Sequence, residues 1–454
     1  MGNKREPPNE RPAIQLEVKT ILNRIQHFAG FVYQAVQLRC HRGKAQRIEI
    51  TLEAHKSIRA KCSVCRQPAP GYDQLPQRSW RFVPLWGLRT DFLYARRRVQ
   101  CPEHGVVVEH LPWSEGKRPI TTAMMCFLAL WARRLSWRET ARAFQTSWEA
   151  VFRSVGWFVE WGLAHRTLQG IQSLGVDEIH WGKGKRADNF LTVIYQIDRE
   201  CRRLLWVGRR RTQATLRRGL AALGTEVVSG LKFVCSDMWQ PYLNVIAAQA
   251  GQALHVLDRF HIAMHMNQAV DQVRRAESGR LKGRPLAKRL KHMRWQLLRR
   301  GSRVRGKARA KLDALVASKL ATARAWNLKE SFEHFWHYKC PLWAGAFLDC
   351  WTARAMRSRL EPMKQVARML RAHDALLLNW FKAKGEVSSG AVEGLNNKIR
   401  VVTRRSYGFR TYDAMEIALY HTLGRLPEPE STMVAKLGCP VDTQKLTTTP
   451  EFLT

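Results

Sequence analysis

The 454-residue chain carries 76 Lys and Arg against 37 Asp and Glu, a formal net charge of +39. That excess is too large for an ordinary cytosolic enzyme and predicts a polyanionic partner, with nucleic acid the first candidate and a merely solvated basic surface the competitor. The length suits two to four domains, and 45% hydrophobic residues can bury real cores.

The first twelve residues, MGNKREPPNERP, are polar, read as disordered and carry no secretory leader. Ten cysteines in a chain of this length do not suggest a disulfide scaffold. The longest apolar run, Ala123 to Ala132, falls well short of the ~20 residues that span a bilayer. A soluble, intracellular protein without membrane contact is therefore expected.

Cys62 and Cys65 form a C-x-x-C pair, and Cys101 and His104 a C-x-x-H pair. Two such knuckles can present four ligands tetrahedrally to a structural Zn²⁺. The alternating, aromatic-rich residues between them predict two strands that carry the second knuckle back to the first. The competing reading is four unrelated residues, with Cys62 and Cys65 a redox pair. A site closed by four protein ligands has no open position, so it predicts no catalysis.

Next comes SWRETARAFQTSWEAVFRSVGWFVEWGLAHR. Ser136 and Glu139 have capping-box spacing, and Ser147 caps a second helix after the turn QTS. Ala141 and Phe144 face inward on the first helix, as do Val151, Val155 and Phe158 on the second. Two helices across so short a turn match a helix-turn-helix, whose second helix would present Ser147, Trp148 and Arg153 to a major groove. A plain helical hairpin competes, because the turn lacks a glycine.

From Gly170 the periodicity changes. SLGVDEIHWG, NFLTVIYQID and RRLLWVGRR predict three strands, TQATLRRGLAALG a helix, LKFVCSDMW a strand, PYLNVIAAQAG a helix and ALHVLDRFHI a fifth strand. The order β-β-β-α-β-α-β is an α/β layer architecture with a mixed sheet. From about Ala263 to Lys384 the chain reads as helical and very basic, suited to DNA backbone contact, with a solvated helical face as the competitor. SSGAVEGLNNKIRVVTRRSYGFRTYDAMEIALYHTLG then predicts two returning helices split near SYGF.

Acids at strand ends and on a facing helix can hold two divalent metals beside a phosphodiester. Asp177 lies in the first strand, Asp237 follows the fourth, and Glu393 lies on the returning helix behind a cap at Ser388 or Ser389. Asn396, Asn397 and Arg400 share the face of Glu393. From helix position alone, Glu393 reads first as a first-turn acid favoured by the helix dipole. Glu178 should point away from Asp177, as neighbours on a strand do. Asp258 and His261 are accessory candidates, as is Asn397. Asp188 and Asp198 read as turn residues, and His180 and His255 as structural histidines.

GVDEIHWGKG, CSDMWQPY, VLDRFHI and VEGLNNKIRVVTRRSYGFRTYDAMEIALYH resemble the bacterial insertion-sequence D-D-E transposases of the ISL-three type. The resemblance covers roughly Lys61 to Arg425, and its last motif is the most specific. It implies a ribonuclease-H-like catalytic sheet interrupted by a helical insertion and preceded by a small zinc-binding domain and a helix-turn-helix. The implied boundaries are 1–115 for the zinc domain, 116–168 for the helix-turn-helix and 169–262 for the first catalytic part. The insertion follows at 263–385, the returning helices at 386–426 and a tail at 427–454.

By the resemblance Asp177, Asp237 and Glu393 bind two Mg²⁺ or Mn²⁺ ions. The zinc and helix-turn-helix regions bind the element's terminal inverted repeats. Arg400 and Arg404 join the DNA-contacting residues. The partners implied are transposon-end and target duplexes, bound by a homodimer or higher assembly in the bacterial cytoplasm, at the nucleoid. His104 departs from the family, where Cys is common at that knuckle position. Other readings remain: a zinc-containing helix-turn-helix regulator without catalysis, a structure-specific nuclease on the same fold, and a decayed transposase.

Overall fold

The computed structural model describes residues 17–181, 189–386 and 390–429. The chain separates into two compact units, 1–166 with 426–454, and 167–425. The expected caps Ser388 and Ser389 and the turn residue Asp188 lie outside the described residues. Among the described residues no helix is long and apolar enough to cross a membrane, and the nine cysteines are all free.

The first unit begins with α1 (Val18–Ile25), β1 (Phe31–His41), β2 (Lys44–Ala54), β3 (Gly71–Leu85), β4 (Leu88–Cys101) and β5 (Gly105–Val108). The strands form one mixed sheet in the order β1-β2-β4-β3, with β5 on β4. β2 and β4 run parallel and the other pairs antiparallel. The two strands expected between the knuckles are the β3–β4 hairpin, which turns through Trp86 and Gly87 at φ 51 and 77. Positive φ at both central residues matches the right-handed twist of the flanking strands. Trp80, Phe82, Phe92 and Trp113 are buried at the centre of this core, and Phe82 stacks on Phe92 at 4.3 Å. The hairpin β1–β2 carries no predicted counterpart.

Three helices follow: α2 (Thr122–Ala132), α3 (Trp137–Ala143) and α4 (Trp148–His165). The capping box of Ser136 and Glu139 is formed, and Ser147 caps α4 by accepting from the Ala150 amide at 3.1 Å. Gln145 takes the left-handed conformation at φ 49. Thr146 N–H then bonds Ala141 carbonyl at 2.8 Å, closing the helix end in the manner usual for glycine. The missing glycine is therefore no obstacle to the tight turn.

The second unit starts with β6 (Ser173–His180), β7 (Phe190–Ile197) and β8 (Arg202–Arg209), an antiparallel meander. After α5 (Gln213–Leu223) and α6 (Thr225–Ser229) come β9 (Phe233–Ser236), α7 (Gln240–Gln249) and β10 (Leu254–Leu257). The sheet order is β10-β9-β6-β7-β8, with β9 parallel to β6 and β10 parallel to β9. β7 is almost wholly buried, as a strand covered on both faces must be. All five predicted strands, in predicted order, are present.

Eight helices then follow without a strand: α8 (Arg259–Arg280), α9 (Pro285–His292), α10 (Arg294–Leu298), α11 (Gly306–Val316), α12 (Ala321–Phe332), α13 (Pro341–Arg357), α14 (Glu361–Ala372) and α15 (Asp374–Lys382). They share a core around Leu290, Leu312, Phe335, Trp351 and Met363, continuous with Leu257 at the end of β10. The chain returns to the sheet through α16 (Gly390–Arg405) and α17 (Tyr412–Leu423). Val392, Leu395, Ile399 and Val402 make the buried stripe of α16, spaced as a helix face requires. Gly175 on β6 permits the close approach: a Cβ there would meet Val392 Cγ2 at 2.6 Å.

Candidate functional site

Three acids gather where the ladders joining three parallel strands end. The β6–β9 ladder pairs Gly175 with Cys235, and Asp177 and Asp237 each lie two residues further along. The β9–β10 ladder pairs Ser236 with Leu257, so Asp258 is the next residue beside Asp237. Strands in such a ladder lie about 4.8 Å apart. The C-terminal ends of neighbouring parallel strands are where open α/β sheets place their chemistry.

Each acid is held by its own partners. Asp177 is buried; it accepts from the Glu178 amide at 2.8 Å and from the Asn396 side-chain amide of α16. Tyr195 hydroxyl donates to Asn396 at 2.7 Å, fixing which way that amide points. His261 Nε2 lies 4.0 Å from Asp177, and its Nδ1 lies 2.9 Å from Asp258. Asp258 also caps α8 through the Phe260 amide at 2.8 Å. Asp237 accepts from the Trp239 amide at 3.1 Å and from Arg211 at 3.5 Å. Arg211 also pairs with Glu178 and lies over the Trp239 ring at 4.1 Å.

The electrostatics follow from that crowding. Burial pushes the Asp177 carboxyl up to about 6, against the opposing pull of His261, the Glu178 amide and Asn396. Burial raises Glu178 to about 7, with Arg211 pulling the other way. Burial works against the His261 imidazolium, but the Asp258 hydrogen bond and the charges of Asp177, Asp258 and Asp237 prevail and raise it to about 9. His255, buried with Nε2 2.7 Å from Ser236 Oγ, is driven down to about 4 by burial. It is a packed structural histidine, as expected.

Glu393 lies in the first turn of α16, one helical turn before Asn396. It lines a cavity of about 440 Å³ that also takes in Arg299, Arg300, Arg303, Lys329 and Trp336 from the helical insertion. Among the described residues, the oxygens of Asp177, Asp237 and Glu393 are not drawn within 4.8 Å of one another. The structure thus sets two of the predicted acids side by side on β6 and just past β9, and the third on a helix packed against β6.

Several placements differ from the sequence expectation. Asn397, one of the three accessory candidates, is exposed and accepts from Arg400 at 2.7 Å; of the two asparagines, Asn396 takes the place beside Asp177. The helical period lets only one of two successive asparagines face the sheet. Glu178 shares Arg211 with Asp237 rather than standing apart. Arg211 was not predicted, since it is the last of three successive arginines and only tertiary packing singles it out. Arg404 is exposed on α16.

The first unit holds a second cluster. Cys62, Cys65, Cys101 and His104 each offer a ligand atom within 4.8 Å of the others. Cys65 Sγ and Cys101 Sγ are 3.7 Å apart; His104 Nδ1 is 3.5 Å from Cys101 Sγ and 3.9 Å from Cys62 Sγ. A tetrahedral Zn²⁺ with ordinary bond lengths sets its ligand atoms about 3.5–3.8 Å apart. The donor set and its spacing fit that ion.

On α4, Ser147 is spent on its cap, Trp148 is 48% exposed and stacks on Phe152, and the exposed Arg153 pairs with Glu149.

A family model described as transposase matches residues 174–419, which span the acid cluster and α16. The chain is 26% identical to the transposase for insertion sequence element IS1001 of Bordetella parapertussis, over 79% of this chain and 88% of that protein. It is 27% identical to the transposase for insertion sequence element IS1557 of Mycobacterium tuberculosis (strain CDC 1551 / Oshkosh), over 85% of this chain and 90% of that protein. With more than half its length matched, the chain belongs to the ISL3-type family of insertion-sequence transposases.

Proposed function

We propose that this transposase binds the terminal inverted repeats of its element and cuts and joins DNA with a D-D-E site of Asp177, Asp237 and Glu393. The observation that carries the reading is the alignment of Asp177 and Asp237, each two residues past the last pair of the β6–β9 ladder, with α16 laid across β6. The strand order and the helix that returns after a long insertion support a ribonuclease-H-like catalytic domain. The all-oxygen donor set suits hard cations, Mg²⁺ or Mn²⁺, more than softer metals. Two such ions, when bound, activate the attacking oxygen and stabilise the leaving one.

The chain's own residues do the rest. Asn396, held by Tyr195, aims the Asp177 carboxylate. His261, held by Asp258, offsets negative charge at the acids. Water attacks phosphorus at the element's end, the bond to the 3′ oxygen breaks, and a 3′-hydroxyl is freed. That hydroxyl then attacks a target phosphorus and displaces the target strand's own 3′ oxygen. No protein nucleophile is needed. Zn²⁺ on Cys62, Cys65, Cys101 and His104 ties the ends of the β3–β4 hairpin, and the helix-turn-helix of α3 and α4 reads the repeat. Cells would hold the protein in the cytoplasm at the nucleoid, as a dimer or higher assembly on two ends.

The test is Mg²⁺-dependent cleavage and joining of a duplex bearing the element's own end. Wild type should cut and join; Glu393→Gln should bind the duplex with wild-type affinity and do neither. Equal cleavage by both proteins would remove Glu393 from the site, and binding without cleavage by wild type would favour a regulator.

A further inference from the structure

The turn between α16 and α17 closes through an exposed aromatic residue. Ser406 N–H bonds Val402 carbonyl, Tyr407 N–H bonds Arg404 carbonyl at 3.0 Å, and Gly408 N–H bonds Thr403 carbonyl at 2.9 Å. This pattern closes a helix through a residue in the left-handed conformation, a position that glycine usually fills. Here it is Tyr407, at φ 53. Its side chain is 99% exposed, so the ring recovers nothing from the protein for the strained backbone. Strain of this kind concentrates at functional sites.

The surroundings identify the ligand. The outward face of α16 carries Arg400 and Arg404, both exposed, Lys398 is exposed on the helix's flank, and Arg410 follows the turn. Val401, on the same face, is 63% exposed. A basic track thus runs from Glu393 at one end of the helix to a bare aromatic ring at the other. Cations that follow a phosphate backbone, with an aromatic ring beyond them, are the elements of nucleobase stacking.

We propose that the outward face of α16 lies along duplex DNA and that Tyr407 inserts at a base step and stacks on an unstacked nucleobase. Tyr407 lies about 20 Å along the helix from Glu393, which corresponds to roughly six base pairs from the scissile phosphate. The placement rests on the catalytic reading of Glu393; the stacking itself does not.

The experiment uses the full chain and duplexes carrying the element's end and flank, with 2-aminopurine substituted at single positions. Wild type should brighten the probe at one step about six base pairs from the cut, because unstacking relieves quenching. Tyr407→Gly should abolish that signal and bind about tenfold more weakly, and Tyr407→Phe should keep both. Glycine suits the left-handed position, so the Tm of Tyr407→Gly should equal or exceed wild type. Wild-type brightening and affinity in Tyr407→Gly would overturn the proposal. So would lost binding accompanied by a lower Tm, which marks the ring as structural. Brightening only at a remote step would overturn the alignment of α16. Glu393→Gln should brighten the probe like wild type; if it also cuts like wild type, the catalytic reading falls while the stacking result stands.

Discussion

At Asp177 a carboxylate is buried among groups that only partly offset its charge, and burial raises it to about 6 from an ordinary 3.8. An acid raised in the folded state binds its proton more tightly there than in the unfolded chain. Its ionisation therefore costs native stability, fully above about pH 6 and less as pH falls toward 3.8. A rise of about two units corresponds to about 3 kcal/mol at most. Asp177→Asn should thus abolish cleavage yet stabilise the metal-free protein by about 1–3 kcal/mol at pH 8. That gain should shrink at pH 5. Urea unfolding at both pH values checks this, and a destabilised variant at pH 8 would refute the account. The partner residues show how far sequence reasoning reaches at this scale. Asp177, Asp237 and Asp258 were legible because each stands in or just after an apolar strand. Arg211 was not, and Asn396 was legible only as one of two asparagines, because their contacts are long-range and no local pattern separates them from Arg210 or Asn397.

At the scale of elements, α16 carries Asn396 to Asp177, with Glu393 one turn earlier, and it sits where β6 leaves room. A methyl at position 175 would meet Val392 at 2.6 Å and Ile197 at 3.0 Å. Gly175→Ala should cost about 1–3 kcal/mol through overpacking. It should also lift Glu393 away from Asp177 and lower cleavage by at least an order of magnitude with DNA affinity unchanged. Thermal melts and cleavage kinetics check both; unchanged cleavage would mean that the α16–β6 contact does not set the site. Helix ends were the most legible features here. Ser136, Glu139 and Ser147 act locally, within one turn, and both caps form. The hairpin β1–β2 went unread although it alternates, because its outer half is exposed and polar. The turn at Gln145 shows the converse: a residue type that disfavours a conformation can still adopt it when the flanking helices pack.

For the whole molecule, charge is the governing quantity. A net +39 spread over folded helices, rather than held in a tail, predicts affinity set largely by released counterions. Each neutralised phosphate contributes a slope of about −0.9 in log K against log salt. Affinity for an element-end duplex should therefore fall at least a hundredfold between about 50 and 200 mM NaCl. Fluorescence anisotropy across that range measures it, and a flat response would mean that the basic surface does not meet DNA. The amino-acid sequence by itself determined the sign of the partner, the Cys-x-x-Cys and Cys-x-x-His spacing, the helix caps and the strand order. Each depends on composition or on residues a few positions apart. Only the tertiary structure decided that Asp237 lies level with Asp177, that Asn396 rather than Asn397 reaches it, that Arg211 bridges Glu178 and Asp237, and that Tyr407 stands bare at the end of a basic track. Those contacts join residues far apart in the chain, and sheet register and helix packing, not local propensity, select them.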